Sequence, residues 1–111
     1  METIEIEKLF DDFLLYNIEI YHNNKVLRTG KLKMVSMKNH NIKFYIETNI
    51  GIKTIELFYP FNYKKTSDLI IFDYNVDSLI KDNKELKNMI DAYPVDQVSK
   101  FLNTEVYFKR I

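Results

Sequence analysis

The chain contains no cysteine. That excludes disulfides and thiolate metal sites, and it fits a reducing compartment, so a cytoplasmic location is expected. There are two glycines, Gly30 and Gly51, and two prolines, Pro60 and Pro94. Two glycines this far apart cannot build a glycine-rich phosphate loop. Arginine is as scarce: Arg28 and Arg110 stand against fourteen lysines. Positive charge is therefore supplied mostly as point charges rather than as the bidentate fork of a guanidinium. Ala92 is the single alanine, beside fourteen isoleucines and eleven asparagines. This skew suits an AT-rich genome, such as that of a low-GC bacterium, its phages or its mobile elements. No apolar stretch approaches the ~20 residues of a spanning helix. The acidic opening "METIEIEKLF" does not read as a signal peptide.

What is present reads as one compact domain, residues 1–111. A chain of this size buries roughly two-thirds of its unfolded surface, enough for a core without staples. Net charge is zero but unevenly spread. Residues 1–20 carry six acids against Lys8. Residues 21–65 carry eight lysines and Arg28 against Glu47 and Glu56. Residues 66–97 return to an acidic balance, with seven acids against three lysines. A basic middle between acidic flanks points toward partners.

Periodicity places the elements. Ile6, Leu9, Phe10, Phe13 and Leu14 recur at helical spacing, which predicts an N-terminal helix capped by Thr3 and ending near Leu14 or Leu15. From Tyr16 the period becomes two. A first strand carries Ile18 and Ile20, and Asn23-Asn24 forms a two-residue turn. This register puts Ile20 opposite Leu27 and Glu19 opposite Arg28. Leu32 and Met34 then have the wrong parity to share the inner face with Leu27, so one β-bulge is expected near Gly30. A third strand covers Ile42, Phe44 and Ile46. The fourth covers Ile55, Leu57 and Tyr59 and is stopped by Pro60, which has no N–H. "LIIFDY" is a fifth strand and "TEVYFKRI" a final one. The final strand is equally suited to extending the sheet of a second copy. Between these two lie a helix over roughly residues 78–92 and a short one after Pro94. The expected fold class is α+β: a curved, mainly antiparallel sheet of five or six strands with an N-terminal helix and one or two C-terminal helices. Closure into a small barrel is its limiting form.

No catalytic constellation emerges. His22 and His40 both adjoin turns and lack a defined carboxylate or thiolate partner, so they read as exposed turn residues. No serine occupies a nucleophile elbow. Asp11 and Asp12 are helix neighbours that do not face each other. No cofactor, no metal and no enzymatic activity are expected.

A domain of this kind acts through a surface. The leading expectation is a non-enzymatic protein-binding module, in its fullest form a small phage or mobile-element inhibitor of a host protein such as a defence component. Its anchors would be the aromatic and basic residues around Pro60: Phe58, Tyr59, Phe61, Tyr63, Lys64 and Lys65. Tyr and Phe bury large area at low entropic cost. The alternative is a β-barrel that binds single-stranded nucleic acid or an anionic ligand. It would use Tyr21, Lys31, Lys33, Lys43, Tyr45 and Lys53, a cationic surface with stacking rings. A sequence pI of about 6.7 weighs against that alternative, because dedicated nucleic-acid binders commonly exceed ~9. A protein partner, no membrane and an open oligomeric state complete the expectations.

Overall fold

The computed structural model describes residue 6, residues 8–38, 41–60, 62–75 and 103–111, and the single residues 77, 81, 84, 87, 88 and 91. Seven strands follow one another: β1 (Asn17–His22), β2 (Lys25–Lys38), β3 (Asn41–Thr48), β4 (Gly51–Phe58), β5 (Asn62–Lys65), β6 (Leu69–Asp73) and β7 (Glu105–Arg110). They form one sheet in the order β4-β3-β2-β1-β7-β6-β5. All six pairings are antiparallel.

The first four strands are a meander, and among the described residues two of its connections are tight turns. Asn23 and Asn24 both take left-handed conformations (φ 52° and 62°) between the paired His22 and Lys25. That is the conformation a two-residue hairpin requires and asparagine tolerates. At the β3–β4 turn the Thr48 hydroxyl donates to the Gly51 carbonyl (2.9 Å) and accepts from the Ile50 N–H (3.3 Å). Gly51 follows at φ 110°, a conformation that a side chain would strain.

β7 then enters the interior of the sheet, flanked by β1 and β6. The final strand is thus paired on both sides within its own chain, rather than free to extend a neighbour's sheet. Residues 74 and 103–104 continue the ladder past its ends: Tyr74 N–H donates to the Thr104 carbonyl and Asn103 N–H to that of Tyr74 (both 2.9 Å).

The sheet is strongly coiled but not closed. Six inter-strand spacings of ~4.8 Å would separate β4 from β5 by about 29 Å in a flat sheet. Yet three residues, 59–61, join them, and four Cα steps reach at most about 14 Å. The two edges must therefore curl toward each other at this end. A buried Tyr74 hydroxyl pins the curl by donating to the Phe58 carbonyl at 2.6 Å. Pairing between β4 and β5 is absent, so the barrel stays open.

The concave face holds the core. Ile18, Ile20, Leu32, Ile42, Phe44, Ile46, Leu57, Ile70, Phe72, Val106 and Phe108 are buried there with Ile6, Leu9, Phe10 and Phe13 from the N-terminal segment. Phe10 is its centre. Its ring meets Phe44 and Phe108 at 5.0 Å, Phe72 at 5.7 Å and Phe13 at 6.2 Å, in each case edge to face. That is the geometry ring quadrupoles favour.

Several sequence expectations need correction. No continuous helix is delimited among the described residues, although Ile6, Lys8 and Leu9 and the single residues 77, 84, 87, 88 and 91 are helical. Phe10–Leu15 are turns held mostly by three-residue bonds, such as Phe13 N–H to the Phe10 carbonyl (2.9 Å). Leu15 takes φ 67° and swings the chain into the sheet, where its N–H donates to the Leu32 carbonyl (2.7 Å). The apolar spacing packs Ile6, Leu9, Phe10 and Phe13 as a plug inside the sheet, helical at Ile6, Lys8 and Leu9 and turning from Phe10 onward. The strand count is seven, because residues 62–65, which follow the Pro60 stop, pair with β6 as a further strand. Two irregularities replace the bulge expected at Gly30: one at Leu27, between the pairs Ile20↔Arg28 and Tyr21↔Val26, and one at Lys33. Ile20 therefore faces Arg28, not Leu27, and Glu19 faces Thr29. Met34 turns outward, opposite Tyr45, and is half-exposed. The Thr3 cap and the helix after Pro94 lie outside the described residues, as does all but single positions of the helix over 78–92.

Candidate functional site

β2 is the strand on which the sheet bends. Residues 25–31 pair with β1 and residues 31–38 pair with β3, so the two ladders overlap at Lys31, and Leu32 adds backbone bonds to Leu15 and Tyr16. Gly30 makes the bend possible: a methyl group there would overlap the Glu47 carbonyl and the Ile46 side chain. Before Lys31, β2 and the β3–β4 hairpin diverge from this contact. Among the described residues no strand covers the β3-side edge of residues 26–30. The result is a groove of about 660 Å³, with residues 26–30 on one wall, residues 47–50 on the other, and Asn17 and Lys53 completing it. Ligand clefts span ~300–1,000 Å³.

The groove combines three kinds of chemistry. Its lips are apolar: Val26 is 50% exposed and Ile50, at the tip of the β3–β4 turn, 80%; Ile52 next to it is 52% exposed. One wall is a strand edge with unshared backbone groups. The third component is positive charge without compensation. On the outer face, cross-strand register sets a carboxylate opposite three lysines: Lys31↔Glu47, Lys43↔Glu56, Lys109↔Glu19. Lys33 pairs with Glu47 at 3.6 Å and Lys65 with Asp12 at 3.1 Å. Arg28 and Lys53 lack this. Their cross-strand neighbours are Ile20 and Ile46, both buried, so these two cations belong to the inner face. Arg28 makes no ion pair among the described residues, and its Nε is buried without a hydrogen-bond partner, a state that carries a desolvation cost of about 1–3 kcal/mol.

The residues around Pro60 have other duties. Phe58 is 7% exposed, and Tyr59 and Tyr63 pack against the core. Pro60 is buried. Lys65 is engaged within the chain, its Nζ donating to the Leu9 carbonyl (2.8 Å) and to Asp12. Lys64 is exposed, in register with Ile71. Phe61 and His40 fall outside the described residues. Thus the block is divided between core, structural ion pair and surface.

The second set is also divided. Tyr21 and Tyr45 are half-exposed on the outer face. Lys31, Lys33 and Lys43 accompany them, with Lys43 Nζ 5.4 Å from the centre of the Tyr45 ring. Lys53 lies in the groove instead. The Tyr21 phenol is held above the ordinary tyrosine range, first by its hydrogen bond to Glu19, then by partial burial and the Glu19 charge. Tyr107, its cross-strand neighbour, is raised likewise by Glu105. Carboxylates therefore sit among the outer rings, where phosphates would have to approach.

A second, smaller cup of about 270 Å³ is lined by Asn23, Asn24, Asn75, Asn103, Thr104, Glu105 and Tyr107. Three of its amides have a backbone reason to be there, since Asn23, Asn24 and Asn103 all have positive φ. His22 is half-buried at the end of β1, in register with Val106. Among the described residues no group of three or more His, Asp or Glu could hold a metal ion, and no helix is long and apolar enough to cross a membrane.

Sequence reading missed Val26, Arg28, Thr48 and Ile50. Ile50 did carry a signal: a large aliphatic residue between Asn49 and Gly51, where a turn ordinarily takes polar residues. Arg28 carried none, because its face depends on the Leu27 irregularity.

In class, then, the molecule is an open, strongly coiled antiparallel β-sheet plugged by its own N-terminal segment and grooved along one strand edge. No protein-family model matches the chain, and no curated protein or solved structure matches it either.

Proposed function

We propose that this protein is a non-catalytic protein-binding module, and that the groove between β2 and the β3–β4 turn is its contact surface in place of the aromatic block around Pro60. The observation that carries this is the pairing of exposed Val26 and Ile50 across an uncovered strand edge. Exposed apolar lips with unshared backbone groups between them suit a polypeptide, which supplies both side chains and hydrogen bonds. The lack of cysteine agrees with a cytoplasmic setting. The fuller form, a phage or mobile-element inhibitor that occludes a host protein, rests on the AT-rich composition.

Site-specific photo-crosslinking tests the reading. A photoreactive residue at Ile50, in lysate of a low-GC bacterium, is expected to give a discrete protein adduct that one at Lys64 does not. An adduct at position 64 alone, or none at 50, refutes the groove as the contact surface.

A second reading is single-stranded nucleic acid on the outer face, favoured by the half-exposed Tyr21 and Tyr45 beside Lys31, Lys33 and Lys43. It requires affinity for an oligonucleotide that is measurable at ~50 mM salt and falls steeply as salt rises. The carboxylates opposite those lysines weaken it.

A further inference from the structure

The groove's charge and geometry narrow its occupant. We infer that it takes an extended acidic peptide segment, which adds as a strand to the free edge of residues 26–30 and places carboxylates on Arg28 and Lys53. This rests on the protein-binding reading above and names the partner's chemistry.

Three observations converge. The edge of β2 lines the groove over residues 26–30, about 16 Å of strand at the usual rise, with Gly30 already against the Glu47 carbonyl at the closed end. An extended segment laid there would gain main-chain hydrogen bonds of the kind used in strand addition. Second, four cations lie opposite buried isoleucines, namely Arg28, Lys53, Lys65 and Arg110; Lys65 is bridged to Asp12 and Arg110 donates to the Asp12 carbonyl, whereas the two at the groove make no such contact among the described residues. The acid lining the groove, Glu47, is already bridged to Lys33. The groove is thus left positive in a molecule whose net charge is zero. Third, strand alternation matches the lining. Arg28 belongs to the inner face, while Val26, in register with Tyr21, belongs to the outer one. A guest strand with carboxylates at alternate positions would present them inward to Arg28 and Lys53. Its intervening apolar side chains would lie against Val26 and Ile50.

A rival account exists for Lys53 alone. An inward-pointing lysine on an edge strand discourages pairing with other chains. That account leaves Arg28 unexplained, since β2 is paired on its other side, and it predicts no preference among guests.

The test uses the intact protein against an array of octapeptides in which Glu, Lys or Ser alternates with Ile or Val. The Glu series is expected to be retained at least tenfold more strongly than the Lys and Ser series. Its addition should slow hydrogen exchange at the amides of residues 26–30. Arg28→Gln and Lys53→Gln should each weaken retention, together by roughly tenfold or more, since hydrogen bonds to ionised groups are the strong ones. If Arg28→Gln perturbs the fold, Lys53→Gln on the edge strand still decides the matter. Preference for the Lys or Ser series, or equal retention of all three, overturns the acidic guest while leaving a peptide-binding groove. Retention of the Glu series without protection at residues 26–30 overturns strand addition. Displacement of the Glu series by a single-stranded oligonucleotide at equal charge concentration would reassign the occupant to nucleic acid. No retention of any series, with a position-50 adduct still formed, refutes the extended guest; absence of that adduct as well refutes the groove as the contact surface.

Discussion

The two ends of this sheet make opposite use of similar residues. At the end around Pro60, aromatic and basic residues are consumed by the fold. Phe58 and Pro60 are buried, Tyr59 and Tyr63 pack on the core, and Lys65 ties β5 to the N-terminal segment through Leu9 and Asp12. At the end between Val26 and Ile50, two aliphatics lie exposed and two cations make no ion pair among the described residues. The difference is one of closure. At the first end three residues draw the edge strands together and Tyr74 pins them. At the second, β2 changes partner at Lys31 and its edge is left uncovered. Aromatic density therefore marked where the fold is tightest, and the accessible chemistry lies where the ladder stops.

The comparison can be broken most forcefully at the closed end. Phe10→Ala removes the ring that meets four other phenylalanines. Truncation of a buried Phe costs about 3–5 kcal/mol, a large share of the roughly 5–15 kcal/mol of a whole domain. Urea unfolding should show the midpoint falling sharply; a change under ~1 kcal/mol would mean the N-terminal segment is no plug.

Tyr74→Phe is gentler. It keeps the ring and leaves the buried Phe58 carbonyl without its 2.6 Å donor, at an expected cost of about 1–3 kcal/mol. Amides near residues 58 and 74 should exchange faster, while those of residues 26–30 should not change. Equal acceleration at both ends would show that closure and groove are coupled.

The smallest effect belongs to the outer face beside the groove, where Tyr21 neighbours Val26. The folded chain holds the Tyr21 proton above the ordinary tyrosine range, chiefly through Glu19. Any stability this lends is present below pH ~10 and is lost as pH rises from there through the raised folded value, because the unfolded chain releases the proton first. Glu19→Gln should return the phenol toward its ordinary titration, measured by NMR of the Tyr21 ring. An unchanged titration would dismiss the pair.

Much of the sheet was legible in alternation alone. Ile18 and Ile20, Ile42, Phe44 and Ile46, and Ile70 and Phe72 all lie on the buried face, as period two requires. The Asn23-Asn24 turn was legible because few residues tolerate two successive left-handed conformations. Residues 62–65 were not, since "NYKK" carries little apolar pattern and becomes a strand by pairing with β6. The N-terminal spacing showed which residues share an apolar face but not where helical geometry gives way to turns at Phe10, because both set apolar residues three and four apart.

By itself, then, the sequence determined the inward residues of most strands, the hairpin positions and the absence of thiol and phosphate-loop chemistry. These depend on side-chain volume, backbone propensity and period, all local quantities. Only the tertiary structure decided that β7 sits in the interior of the sheet, that Phe10 fills the concave face, and that Arg28 and Lys53 share a groove. Those outcomes depend on register across strands distant in sequence. A single irregularity at Leu27 sets the face on which Arg28 lies, and no local preference encodes which strand edge the coiled sheet leaves uncovered.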